Sequence, residues 1–196
     1  GIDTTAWALK RRVPKGPIKF LHMGEPAPRK GGQMAYDAFK QVFGDSMDAT
    51  LTIKAYGQST VRGRGNAHPW KELKNVTVLT EDMPEWQLID LVRRHDVLIY
   101  PSWGEGFGLI PLQAMATGMP VICTEAWAPY KSMLLPGMRL ASSLVNSPWP
   151  KMHPGQMFKP DYDNLVTIMR QAVLEYDLFS EQAWNMVPHI QRKYNW

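Results

Sequence analysis

The chain has 196 residues, 44% hydrophobic and 20% charged, which suits one folded domain with a real core and excludes a disordered polymer. A net charge of +4 and a pI of about 9.2 fit phosphates, nucleic acid or an anionic membrane surface as partners, and fit plain solubility equally well. A single cysteine, Cys123, excludes an intrachain disulfide, and five scattered histidines show no metal-ligand spacing.

In chain order, the first residues, GIDTTAWALKRR, lack the apolar core of a signal peptide. Residues 18–23, IKFLHM, read as a strand. In 32–43, Met34, Ala38 and Val42 share one helical face with Ala35, Phe39 and Phe43. Residues 50–57 alternate like a strand and 76–79 form a short one. Residues 84–94 read as an amphipathic helix opened by a proline. DVLIYPS (96–102) reads as a buried strand, LIPLQAMATG (109–118) as a helix stopped by glycine, and MPVICT (119–124) as the next strand. From Pro136 to Pro160, five prolines predict a long ordered loop, and helices are expected over 161–177 and 180–193. No apolar run approaches the roughly 18 residues of a membrane span, so the chain is expected to be intracellular and cytoplasmic.

This β-α-β-β-α-β-α-β order predicts a Rossmann-like, doubly wound parallel sheet with helices on both faces, in one domain over 1–196. In such sheets ligands bind outside the carboxyl ends of the strands, where strand order reverses. Three loops there carry unusual residues. In GEPAPRKGG (24–32), Arg29 and Lys30 precede a helix whose dipole disfavours cations, a penalty a bound anion would reverse. A solvated basic turn explains them as well. In GQSTVRGRGNAHPW (57–70), Arg62 and Arg64 suit phosphate or base, or simply a charged surface loop.

In PSWGEGFG (101–108), Gly104, Gly106 and Gly108 bring bare backbone to the mouth of a helix starting near Leu109. Glu105 would repel a phosphate there. It suits hydroxyl groups better, and ordinary helix capping also explains an acid at that position. The P-loop, the G-x-G-x-x-G fingerprint and the G-x-S-x-G elbow are absent.

With those residues laid out, PSWGEGFGLIPLQAMATGMPVICTE resembles the donor-binding signature of family 4 glycosyltransferases, retaining enzymes of the GT-B fold. GIDTTAW resembles the opening of that fold's C-terminal domain, FLHMGEPAPRKGGQMAYDAF its G-R-x(3–5)-K-G segment, and FSEQAW its last helices. The resemblance implies the donor-binding, C-terminal half of a two-domain enzyme, whose N-terminal acceptor domain is absent from this chain. It implies hexosyl or similar transfer from a nucleoside-diphosphate sugar to an unknown acceptor, with no metal and no cofactor.

Residue by residue, it gives Lys30 to the donor diphosphate and Glu105 to the sugar hydroxyls, the two residues closest to the chemistry. Gly24, Glu25, Arg29, Arg62, Gly106, Phe107, Gly108, Leu109 and Gln113 complete the expected donor site. Two of these depart from the pattern. Gln113 stands where a second glutamate holds the ribose, and Glu25 where an arginine contacts the diphosphate. Arg29 is a sequence-near partner for Glu25, and Arg62 or Arg64 could replace the missing cation. A GT-B nucleotide-sugar epimerase or hydrolase, and a non-catalytic nucleotide- or nucleic-acid-binding module, remain as alternatives; nucleic acid has no motif in its support.

Overall fold

The computed structural model describes residues 1–55, 70 and 73–196. Its elements are β1 (Ile18–Gly24), α1 (Gly32–Phe43), β2 (Ala49–Ala55), β3 (Val76–Leu79), α2 (Glu85–Arg93), β4 (Val97–Tyr100), α3 (Leu109–Ala116) and β5 (Val121–Thr124). They continue as β6 (Arg139–Leu140), β7 (Ser142–Asn146), β8 (Gln156–Pro160), α4 (Tyr162–Leu174) and α5 (Tyr176–Tyr194).

Of the strands, β4 and β5 are apolar at consecutive positions, because both sheet faces are covered there. Their period of two divides them between two cores. Phe20, Leu51, Ile53, Val97, Ile99 and Ile122 join the layer that holds α1 and α4. Leu21, Met23, Leu98, Tyr100, Val121 and Cys123 face the layer built on α3. α5 serves both: Phe179 and Ala183 pack in the first core and Ile190 in the second.

Six strands form one parallel sheet in the order β3-β2-β1-β4-β5-β6. The chain leaves β1 toward β2 and returns to β4 on the other side of β1. Order therefore reverses between β1 and β4, and the loops leaving these two strands lead to helices on opposite faces of the sheet, the place where such folds have their ligand crevice. This is the doubly wound architecture expected from the pattern of elements.

Several local expectations need correction. The stretch 136–160 is no continuous loop. It holds a short 3-10 turn at Pro136–Met138, the edge strand β6, and an antiparallel hairpin of β7 and β8. Its prolines mislead because Pro148, Pro150 and Pro154 sit in the hairpin connection and Pro160 closes β8, where a missing N–H is tolerated. The last two helices meet at Glu175, earlier than expected. α2 takes Pro84 as its N-cap, and α3 ends before Gly118, whose φ is 74°.

Among the described residues, no helix is long and apolar enough to cross a membrane. The GIDTTAW stretch has a structural role. Asp3 accepts from the backbone N–H groups of Thr5 and Ala6, and buried Trp7 donates its ring N–H to Glu85 at 3.2 Å.

Candidate functional site

The two loops beside the crevice are pinned to each other by a glycine. Gly31 has φ 75° and ends the turn Pro28–Lys30; a Cβ there would lie 2.3 Å from the carbonyl oxygen of Pro101. Only glycine fits both the left-handed backbone and the close approach. Trp103 N–H donates to the Arg29 carbonyl at 2.9 Å, a second tie between the loops.

This clamp sets Lys30 against Glu105. Lys30 Nζ lies 2.9 Å from Oε1 and 2.8 Å from Oε2 of Glu105. Ser102 Oγ donates to Oε1 at 2.7 Å and the Tyr100 hydroxyl at 3.1 Å. Arg29 Nη1 stands 3.6 Å from the same oxygen and donates to the Gly104 carbonyl. The Lys30 and Glu105 side chains are only 14% and 10% exposed, so water screens the pair weakly. Burial alone would raise the Glu105 carboxyl, but bonds from Lys30 and Ser102 and the charges of Lys30 and Arg29 hold it below its ordinary value.

The arrangement answers two open points. Glu105 does not cap α3: the N-cap is Gly108, with no side-chain bond to the helix. Nor does Arg29 pair with Glu25, as its nearness in sequence suggested; it turns inward to Gly104 and Glu105, while Glu25 is exposed. The Arg29 Nε–H is buried without a partner among the described residues. Such a donor costs about 1–3 kcal/mol until something accepts from it.

Two helix mouths open beside this cluster. α1 starts directly after Lys30 with Gly31 as N-cap and no side-chain cap. α3 starts after Gly108, which has φ 75° and is held by a 2.6 Å bond from the Tyr130 hydroxyl to its carbonyl. A Cβ on Gly108 would meet Tyr130 Oη at 2.5 Å and the Trp127 ring at 2.6 Å. Pro111 has no N–H to offer, so in the first turn of α3 the free donors are Leu109 and Ile110. Cationic side chains beside uncapped helix N-termini make an anion site.

The other expected residues fall around this centre. Gly24 closes β1, with space for a Cβ 3.6 Å from that of Lys30. Gly106 is exposed and its Cβ position meets nothing within 4 Å, so bare backbone faces outward there. The Phe107 ring packs edge-on to Tyr130 and Tyr194, each at 6.1 Å. Leu109 is exposed at the first turn of α3, and half-buried Gln113 follows on the same helix. Arg62 and Arg64 lie outside the described residues.

Sequence reasoning missed Tyr100, Ser102 and His22. Tyr100 and Ser102 are two apart at the end of β4, so both reach the same side, where Glu105 folds back. His22 donates Nδ1–H to the Ile99 carbonyl at 2.9 Å, and its Nε2 lies against the Cβ positions of Gly32 and Gly24. Burial, and then the nearby Lys30 charge, lower its pKa to about 4, so it is neutral at neutral pH.

The family model for family 4 glycosyltransferases in conflict systems matches residues 1–196. Glycogen synthase of Mycobacterium tuberculosis is 30% identical over 128 residues, which are 64% of this chain and 30% of that protein. The C-terminal domain of the group 1 glycosyl transferase LpcC from Francisella tularensis superposes with a TM-score of 0.70 at 18% identity, covering 100% of this chain and 99% of that one. HepE (Alr3699) of Anabaena, solved with UDP-glucose, gives a TM-score of 0.69 at 15% identity over 100% of this chain and 52% of that one. The chain thus has the fold of a GT-B C-terminal domain and spans well under half of the curated relative it matches.

Proposed function

This chain belongs to the family 4 glycosyltransferases in conflict systems, and from that premise we propose that it is the donor-binding half of an enzyme transferring a sugar from a nucleoside diphosphate. The observation that carries the proposal is the Lys30–Glu105 cluster at the carboxyl edge, between β1 and β4, where strand order reverses. The UDP-glucose held by the structurally similar HepE supports the same ligand class.

In this reading Lys30 and the N–H groups opening α1 and α3 bind the diphosphate. As the bond to the anomeric carbon breaks, charge grows on the leaving phosphate and the same groups stabilise it. Lys30 moves part of its interaction from Glu105 to phosphate, which frees carboxylate oxygens to accept from sugar hydroxyls. Ser102 and Tyr100 keep that carboxylate oriented meanwhile. Gln113 takes the ribose, with an amide that both accepts and donates. These cations and helix ends supply the counter-charge, so the proposal needs no metal ion. It includes retention of configuration, and a second domain to bring the acceptor.

A thermal-shift panel of UDP-, GDP-, ADP- and TDP-sugars tests it, because a ligand at a hundred times its Kd adds about 2.7 kcal/mol of stability. One class of donor is expected to raise Tm. Lys30→Ala should weaken nucleoside diphosphates and donors alike, whereas Glu105→Ala should weaken donors about tenfold more than free diphosphate. Equal losses in Glu105→Ala would remove its sugar-reading role. Product analysis with and without acceptor separates transfer from hydrolysis or epimerisation.

A further inference from the structure

The opposite edge of the sheet, where the strands begin, carries a groove of about 660 Å³. One wall is the N-terminal arm, with Lys10, Arg11, Arg12 and Lys15, leading to Lys19 in β1. The other is the end of α2, with Arg93 and Arg94 above Asp96. Among the described residues, seven cations and one carboxylate line the groove, a net of +6. Asp90, which pairs with Arg94, and Glu175 and Asp177, beside Pro14 and Gly16, are carboxylates next to it, so the lining stays strongly positive.

Helix ends account for a small part of it. α2 and α3 end here, and each terminus carries about half a negative charge, which offsets about one of the six. Arg12 is occupied with that task. It is buried and donates to the carbonyls of Val92, His95 and Thr117. Lys10 Nζ likewise donates to the Arg93 carbonyl at 2.7 Å. Arg94 pairs with Asp90, and Arg11 lies 5.1 Å from the Trp184 ring centre. Lys15 and Lys19 are exposed. The rim therefore holds more cations than the fold requires.

We propose that this groove binds the phosphodiester backbone of a single-stranded nucleic acid. A flexible chain of phosphates can enter a concave, cation-lined channel, whereas a flat bilayer surface cannot. Membrane-surface sites also intersperse aromatic and aliphatic anchors among their cations. Here the rim offers one large exposed apolar residue, Val13. The length of β1, seven residues or about 20 Å, separates the groove from the Lys30–Glu105 cluster, so the two ligands bind independently.

Fluorescence anisotropy with a labelled oligo-dT 12-mer tests this. About four phosphate contacts on a single strand imply roughly 50-fold weaker binding at 200 mM than at 50 mM salt. Lys15→Glu and Lys19→Glu should each weaken binding at least fivefold and leave nucleoside diphosphate binding unchanged. Lys151→Glu, the same charge change at an exposed position outside the groove, should cost less than twofold. Equal losses in all three variants would mean diffuse charge attraction and overturn the proposal. So would salt-independent binding, no binding, or capture by phosphatidylserine vesicles without oligonucleotide binding. Circular-dichroism melting of each variant separates loss of the groove from loss of the fold.

Discussion

At the scale of single residues, the site rests on a carboxylate that is already satisfied. Glu105 accepts from Lys30, Ser102 and Tyr100 before any ligand arrives. In the free protein it holds the Lys30 ammonium, whose side chain is 14% exposed. The resemblance pointed to Glu105 and Lys30 separately, and the structure shows them in contact. Gln113 is the open residue. A charged acceptor makes bonds roughly twice as strong as a neutral one. Gln113→Glu is therefore expected to tighten nucleotide binding several-fold by calorimetry. Weaker binding would show a pocket adapted to the amide.

At the scale of elements, two loops and a hairpin build the site. The turn after β1 and the loop after β4 touch through Gly31 and Pro101, and the hairpin steadies the second loop by a 3.0 Å bond from Phe158 N–H to the Trp103 carbonyl. The Trp103 and Trp149 rings meet edge-on at 5.1 Å across the same junction. Gly31→Ala should cost about 2–4 kcal/mol in urea unfolding, from left-handed backbone strain and a backbone clash that no rotamer relieves. Gly106→Ala, with open space and no left-handed φ, should stay within about 0.5 kcal/mol of the parent. If Gly31→Ala proved equally mild, the loops would not be clamped as described.

At the scale of the whole molecule, pH reaches the fold through His22. Its folded pKa of about 4 lies below the ordinary 6.5, so the unfolded chain takes the proton more readily. Stability from this group is complete above pH 6.5 and falls between 6.5 and 4, by about 3 kcal/mol for a shift of that size. Buried His95, lowered in the same sense, adds to the loss. Glu105, held below the ordinary carboxylate range, extends it to lower pH, while Asp96, raised by burial, opposes it there. Urea midpoints are expected to drop from pH 7 to pH 4. His22→Gln should flatten the upper part of that window.

Apolar runs of strand length alternating with helical periods determined the doubly wound class, because burial on both sheet faces leaves a local mark on every element. The glycine spacing of 104–108 likewise marked the loop that holds Glu105. The strands of 139–160 left no such mark. β6 has two residues and β7 is half exposed, so neither shows an apolar run, and prolines of the connection hid the hairpin. Arg29 chose Glu105 over Glu25 for a reason no local pattern carries: residues 75 and 76 positions away meet it only when β1 and β4 lie side by side. The basic edge is similar. Its cations come from two separate stretches, and they form a groove because parallel pairing brings the start of β1 beside the end of α2. Composition determined the excess of positive charge, and only the tertiary structure decided that seven of the cations line one groove at the sheet edge opposite the Lys30–Glu105 cluster.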